Sequence, residues 1–160
     1  MALPIIAYSQ EINKTITEPF NNEEILIGHC NISAFSKVPF ESWYNQEHKK
    51  YKPDALITDQ LKSLDLSGIT FVIIIGTWCD DSQKEFPRFI KILNELEFNM
   101  QQINIICVNT HKEAETTNVF KMDIEYVPTF IIKKEGIEIG RIIESPKNSL
   151  ESDLLKILTL

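Results

Sequence analysis

The feature that most constrains the fold is the run Ile69–Gly76, a nearly unbroken series of apolar and β-branched residues that ends in glycine. Because polar and apolar residues do not alternate in it, the run predicts a strand buried on both faces. The next residues read Thr-Trp-Cys-Asp-Asp-Ser. After them, apolar residues at helical spacing predict an amphipathic helix over Gln83–Phe98. The sequence therefore predicts a buried strand that delivers Cys79 to the start of a helix.

The alternation of strands and helices continues to the C-terminus. A second buried strand is predicted over Ile103–Asn109, a short helix within residues 111–124, and a hairpin of two strands around Glu135–Gly136. A terminal helix follows, with Ser149 and Ser152 as candidate N-caps. The element order after residue 68 predicts an α/β domain, in which helices flank a central mixed sheet on both faces.

The N-terminal part has a different character, and we expect residues 1–65 to form a mainly helical extension of a domain over residues 66–160. The extension should begin with an irregular polar lead-in over residues 9–22, followed by a short strand over Glu23–Cys30. Two helices are predicted next, one starting near Pro39 and one opened by Pro53 or Asp54. The second should bury Leu56, Ile57, Leu61 and Leu64.

Charge and composition exclude several classes of partner. The net charge of −7 argues against nucleic acid or an anionic membrane as the main partner. No apolar stretch reaches the roughly 20 residues of a membrane-spanning helix. The histidines and cysteines lack metal-ligand spacing, so we expect neither a metal nor a cofactor. The expected location is cytoplasmic for the sequence as given, or periplasmic if residues 1–9 are the end of a trimmed signal peptide.

Four features together resemble the thioredoxin-fold family over residues 66–160. They are Trp78–Cys79 between strand and helix, Pro87 eight residues after the cysteine, Val127–Pro128 before a strand, and the glycine-containing hairpin with its closing helix. The segment "GTWCDDS" also resembles a bacterial thioredoxin-like subfamily with a helical N-terminal extension. The resemblance implies a thioredoxin-like fold, a cis peptide bond before Pro128, and contact of Trp78, Val127 and Pro128 with a client.

Two positions depart from the family pattern. The second cysteine of the thioredoxin CxxC motif is Ser82, and the buried acid expected six residues before Cys79 is Ile73. Both groups that a resolving thiol requires are therefore replaced, which argues against dithiol cycling.

The remaining residues suit a monothiol reaction. A helix start favours a thiolate at Cys79, because its free N–H groups stabilise negative charge. The hydroxyl of Ser82 can donate to that thiolate, whereas the carboxylates of Asp80 and Asp81 oppose it while capping the helix. Cys79 is thus predicted to exchange with protein or small-molecule disulfides, and an external, glutathione-like thiol would resolve the mixed disulfide.

A second hypothesis is a redox-inactive binding module that uses the groove beside the expected cis-Pro128, and the sequence leaves open whether the protein is an enzyme. Cys107 is predicted to be a buried apolar residue. Cys30 would approach Cys79 only if the extension crosses the site. Alkylation of Cys79 as a function of pH would separate the two hypotheses.

Overall fold

The computed structural model describes residues 11–160, so the possible signal-peptide remnant at residues 1–9 lies outside the described part. Within this part, six strands form one sheet: β1 (Lys14–Thr17), β2 (Glu24–Cys30), β3 (Ile69–Ile75), β4 (Ile103–Cys107), β5 (Thr129–Lys134) and β6 (Ile137–Ile143). Four α-helices flank it: α1 (Glu41–Lys50), α2 (Ala55–Lys62), α3 (Asp80–Glu95) and α4 (Leu150–Leu158). None of the helices in residues 11–160 is long and apolar enough to cross a membrane.

The sheet is mixed, as predicted, and runs in the order β1-β2-β4-β3-β5-β6. Strand β3 pairs in parallel with β4 and antiparallel with β5, so that Ile73 lies between Ile105 and Phe130. Strands β5 and β6 form the predicted hairpin. Because β3 is central and its residues are almost all buried, the apolar run identified in the sequence forms the middle of the core.

The helices do not cover both faces of the sheet, which corrects the prediction. All four bury their apolar side chains in one cluster, centred on Phe71, Phe86, Phe89 and Phe130. The opposite face, with Val72 and Ile74, is covered by the segment 108–127, which contains one 3-10 turn, Val119–Lys121, where a short helix was expected. The buried apolar residues of this segment are too widely spaced for a helical stripe, since they fall at Val108, Ala114, Val119 and Val127.

The N-terminal part adds strands as well as helices. Lys14–Thr17, predicted as irregular, pairs with β2, and β2 pairs antiparallel with β4. Strand β1 is short and mostly exposed, so its sequence carries no burial pattern that would reveal it. The division of the chain at residue 65 stays a prediction.

Helix boundaries follow local capping. The carboxylate of Asp54 accepts hydrogen bonds from the amides of Leu56 and Ile57, and α2 begins there as predicted. Leu56 is 76% exposed, however, and does not belong to the buried face. Ser149 caps α4 by accepting from the amide of Ser152, which therefore lies inside the helix and is not itself the cap. Helix α3 starts three residues earlier than predicted, directly after Cys79.

Candidate active site

The site is built where β3 passes into α3. Gly76 and Thr77 turn the chain, and the amide of Cys79 donates to the carbonyl of Gly76 at 2.9 Å. Cys79 then occupies the N-cap position of α3, and its carbonyl accepts from the amide of Gln83 at 2.9 Å. The Gln83 side chain donates to the carbonyl of Thr77 at 2.8 Å and closes the turn. The thiol is therefore held, partly exposed, beside the free N–H groups of a helix start.

The loop before β5 supplies the other wall of the site. The Sγ atom of Cys79 lies 3.3 Å from the carbonyl oxygen of Val127, to which the thiol donates. The Val127–Pro128 peptide bond is cis, and both residues are buried. The structure thus brings together Cys79, Val127 and Pro128, which the sequence analysis had identified in distant segments.

Trp78 packs against the turn itself. Its indole Nε1 donates to the carbonyl of Val108 at 2.9 Å, just after β4. The ring covers Gly76 so closely that a Cβ atom there would lie 2.6 Å from two ring atoms. Gly76 is therefore required by the close approach of Trp78, and the half-buried ring fixes the turn to the neighbouring strand.

Ser82 points into the protein. It is 0% exposed, and its Oγ accepts a hydrogen bond from the amide of Gly76 at 3.2 Å. Among the described residues, no hydrogen bond joins Ser82 Oγ to Cys79 Sγ. Asp80 is exposed and Asp81 is half-buried, and both lie in the first turn of α3, where carboxylates interact favourably with the helix dipole.

The other two cysteines lie elsewhere. Cys30 on β2 and Cys107 on β4 are buried together in the cluster beneath the helices, whereas Cys79 packs on the cluster of the opposite face. Burial, and next the neighbouring Cys30 thiol, raises the pKa of Cys107 well above its usual range. Cys107 is therefore a buried protonated thiol, and the structure does not bring Cys30 to Cys79.

Sequence reasoning missed part of the surroundings of Cys79. Helix α1 packs beside α3, and its residues Trp43 and Glu47 face Asp80 across an open groove. The four-residue spacing of Trp43 and Glu47 indicates one helical face, but nothing local to them shows that this face meets the start of α3. Among residues 11–160, no group of three or more His, Cys, Asp or Glu side chains is arranged to hold a metal ion.

The sheet order, the cysteine at the start of α3 and the proline beside it define a thioredoxin-like fold. No family model matches the chain. It is 26% identical over 107 residues to thioredoxin H2-1 of Oryza sativa subsp. japonica. The alignment covers 67% of this chain and 71% of the rice protein.

Two solved structures are similar over most of the chain. A Pseudomonas aeruginosa protein of unknown function aligns over 83% of this chain and 93% of its own, with a TM-score of 0.61 and 16% identity. An HIV epitope scaffold aligns over the same shares, with a TM-score of 0.59 and 14% identity. At these identities the likeness shows the fold, and it includes elements beyond residues 66–160 because it covers more than four fifths of the chain.

Proposed function

We propose that this protein is a thiol–disulfide exchange protein that acts through Cys79 without a resolving cysteine. One arrangement carries the proposal: a partly exposed thiol at a helix start, beside Val127 and Pro128, with Ser82 buried where a second thiol would stand. The sequence similarity to a thioredoxin supports the same class of chemistry.

The first step is attack by the thiolate of Cys79 on one sulfur of a disulfide R–S–S–R′. The S–S bond of the client breaks, the bond Cys79–S–S–R forms, and R′–S⁻ leaves and takes a proton from water. The free N–H groups at the start of α3 stabilise the attacking thiolate.

The mixed disulfide needs a thiol from outside the protein for its release. Ser82 has no sulfur, and Cys30 and Cys107 are buried on the other side of the sheet. A small thiol of the glutathione type, R″–S⁻, attacks the client sulfur, forms R–S–S–R″ and frees the Cys79 thiolate. When the attacking thiol belongs to the client itself, the client disulfide is rearranged and there is no net oxidation or reduction.

Val127, Pro128 and Trp78 are the proposed client contacts. Among the described residues the amide of Val127 has no hydrogen-bond partner, although its carbonyl accepts from Cys79. An extended client backbone passing the site would supply an acceptor for this amide, as in recognition by strand addition. Besides contacting the client, Trp78 would position the thiol, since its indole holds the turn that carries Cys79.

The test is incubation with oxidised glutathione, followed by mass spectrometry of the intact protein and of its peptides. We expect one glutathione on Cys79, removed by dithiothreitol, and no adduct on Cys30 or Cys107 because both are buried. Cys79→Ser should lose the adduct while remaining folded. The rate of iodoacetamide alkylation against pH, measured on the same samples, reports how readily the thiol of Cys79 ionises.

The unpartnered amide of Val127 also favours a second candidate, a redox-inactive module that binds an extended peptide beside Pro128. The same experiment separates the two. If Cys79 takes up neither glutathione nor iodoacetamide at mildly alkaline pH, exchange chemistry is excluded and the binding module is the better account.

A further inference from the structure

An open groove of about 200 Å³ lies between α1 and α3, next to the turn that carries Cys79. We call it the α1–α3 groove; it is lined by Trp43, Gln46, Glu47, Asp80, Gln83 and Lys84. Asp80 directly follows Cys79 in the chain, so one lining residue of the groove is the sequence neighbour of the thiol-bearing residue.

The charged residues of the groove are paired, with one exception. The Oε2 atom of Glu47 accepts from Nε and Nη2 of Arg88, at 2.9 and 2.7 Å. Lys84 is paired with Glu85 at 3.1 Å. Within residues 11–160, Asp80 forms no ion pair and is exposed. The α3 side of the groove therefore carries one carboxylate, Asp80, that forms no ion pair within the described part of the chain.

An aromatic ring lies across from that carboxylate. Trp43 is half-buried and is braced edge-on by Phe35 and Tyr44, at centroid distances of 6.0 and 6.2 Å. Trp43 lines the groove together with Asp80 and the amide side chain of Gln46. An aromatic surface with a free carboxylate and amide oxygens suits a guanidinium group, which stacks on tryptophan and donates to oxygen.

We propose that the α1–α3 groove binds an arginine side chain of the client while the client disulfide meets Cys79. The proposal rests on the proposed function and adds the substrate class: disulfide-bonded polypeptides with a basic residue close to the cysteine that is attacked. Asp80 and Trp43 would be the specificity-determining residues. The extension would thereby contribute to client choice through α1.

The first test measures the rate at which Cys79 forms a mixed disulfide with symmetrical disulfides of short peptides. The peptides differ at one position two to four residues from their cysteine, where they carry arginine, its neutral isostere citrulline, or glutamate. We expect the arginine peptide to react about fivefold faster than the citrulline peptide, with the difference falling as salt is raised. The glutamate peptide should react most slowly.

Two matched variants locate the preference. Asp80→Asn should reduce the arginine preference to below about twofold, whereas Asp81→Asn should keep it, because Asp81 carries the same charge near Cys79 but does not line the groove. Trp43→Leu should reduce the preference as well, with its folding checked by thermal unfolding. If Asp80→Asn and Asp81→Asn lose the arginine preference equally, the groove is not the binding site and the preference is a general effect of negative charge.

The second test does not depend on the reactivity of Cys79. Cysteine-free peptides with arginine or citrulline are titrated into ¹⁵N-labelled protein, and the Trp43 indole signal is assigned with Trp43→Leu. A shift of Trp43 with the arginine peptide alone supports the groove, even if Cys79 proves unreactive and the proposed function fails. If the Trp43 indole signal does not shift, or shifts equally with both peptides, the inference is wrong regardless of the reactivity of Cys79.

Discussion

Replacing Ser82 with cysteine should restore the missing second thiol and should lower the stability of the fold, because Ser82 is buried and hydrogen-bonded. Ser82 is 0% exposed, and its Oγ accepts from the amide of Gly76 at 3.2 Å. A thiol accepts hydrogen bonds more weakly than a hydroxyl, so the hydrogen bond of the Gly76 amide is weakened. Sulfur is also larger than oxygen and must fit a packed site. We expect the free energy of unfolding to fall by about 1–2 kcal/mol, which lowers Tm by roughly 2–8 °C for a chain of this length.

The same substitution should create dithiol activity. A cysteine at position 82 attacks the mixed disulfide at Cys79 within the molecule, and such a step has an effective concentration far above that of an added thiol. Reduction of insulin by dithiothreitol should therefore accelerate about tenfold or more over the wild type. The gain should remain partial, because the fully buried Ile73 on β3 supplies no carboxylate to deprotonate the new thiol.

Ser82→Ala is the matched control, since it removes the same hydrogen-bond acceptor without adding a thiol. It should lose a similar amount of stability in urea unfolding and reduce insulin no faster than the wild type. Mass spectrometry after oxidation should show a bond between positions 79 and 82 in Ser82→Cys alone. If Ser82→Cys is folded but forms no such bond and matches Ser82→Ala in insulin reduction, the geometry of the turn limits the chemistry and our reasoning is wrong.

Three further predictions concern stability. Gly76→Ala should lower the free energy of unfolding in urea by about 2–3 kcal/mol, because the new Cβ would lie 2.6 Å from the Trp78 ring and push it aside. An unchanged unfolding midpoint would contradict this. Arg88→Leu should cost about 1–3 kcal/mol, because the half-buried Glu47 loses its hydrogen bonds from the guanidinium at 2.9 and 2.7 Å, whereas Glu85 keeps Lys84; adding Glu47→Leu should recover part of the loss. Burial raises the pKa of Tyr44 to about 12, so folded protein keeps a proton that the unfolded chain loses near pH 10. Stability should therefore fall between about pH 10 and 12, and Tyr44→Phe should show a fall smaller by about 2–3 kcal/mol.

The parts of the fold that were predicted correctly carry their own local signals. The apolar run of β3 marks a strand buried on both faces. The glycine turn between β5 and β6 marks a hairpin, and Ser149 marks the start of α4. The position of Cys79 at a helix start followed from the same kind of evidence, because the strand signal ends and the helix signal begins within a few residues.

What the sequence did not reveal depends on contacts between distant segments. Strand β1 exists through its pairing with β2, and its own residues are mostly exposed. The close approach of Trp78 to Gly76 depends on the carbonyl of Val108, thirty residues away. The same holds for the α1–α3 groove, whose two walls come from separate parts of the chain. The tuning of the Cys79 thiolate by Ser82 stays a prediction: Ser82 Oγ accepts from the Gly76 amide, and among the described residues it forms no hydrogen bond with Cys79 Sγ.

The positions of the three cysteines support the proposed monothiol chemistry. Ser82 removes the resolving group that would lie one helical turn away, and the sheet separates Cys79 from the two other cysteines. For Cys30 or Cys107 to reach a mixed disulfide at Cys79, the chain would have to open the core around β2 and β4, where both thiols are buried. Such an opening exposes core side chains and costs a large part of the folding free energy. An external thiol, which approaches through solvent at the exposed side of Cys79, avoids that cost, and this difference supports the proposed release by an external thiol.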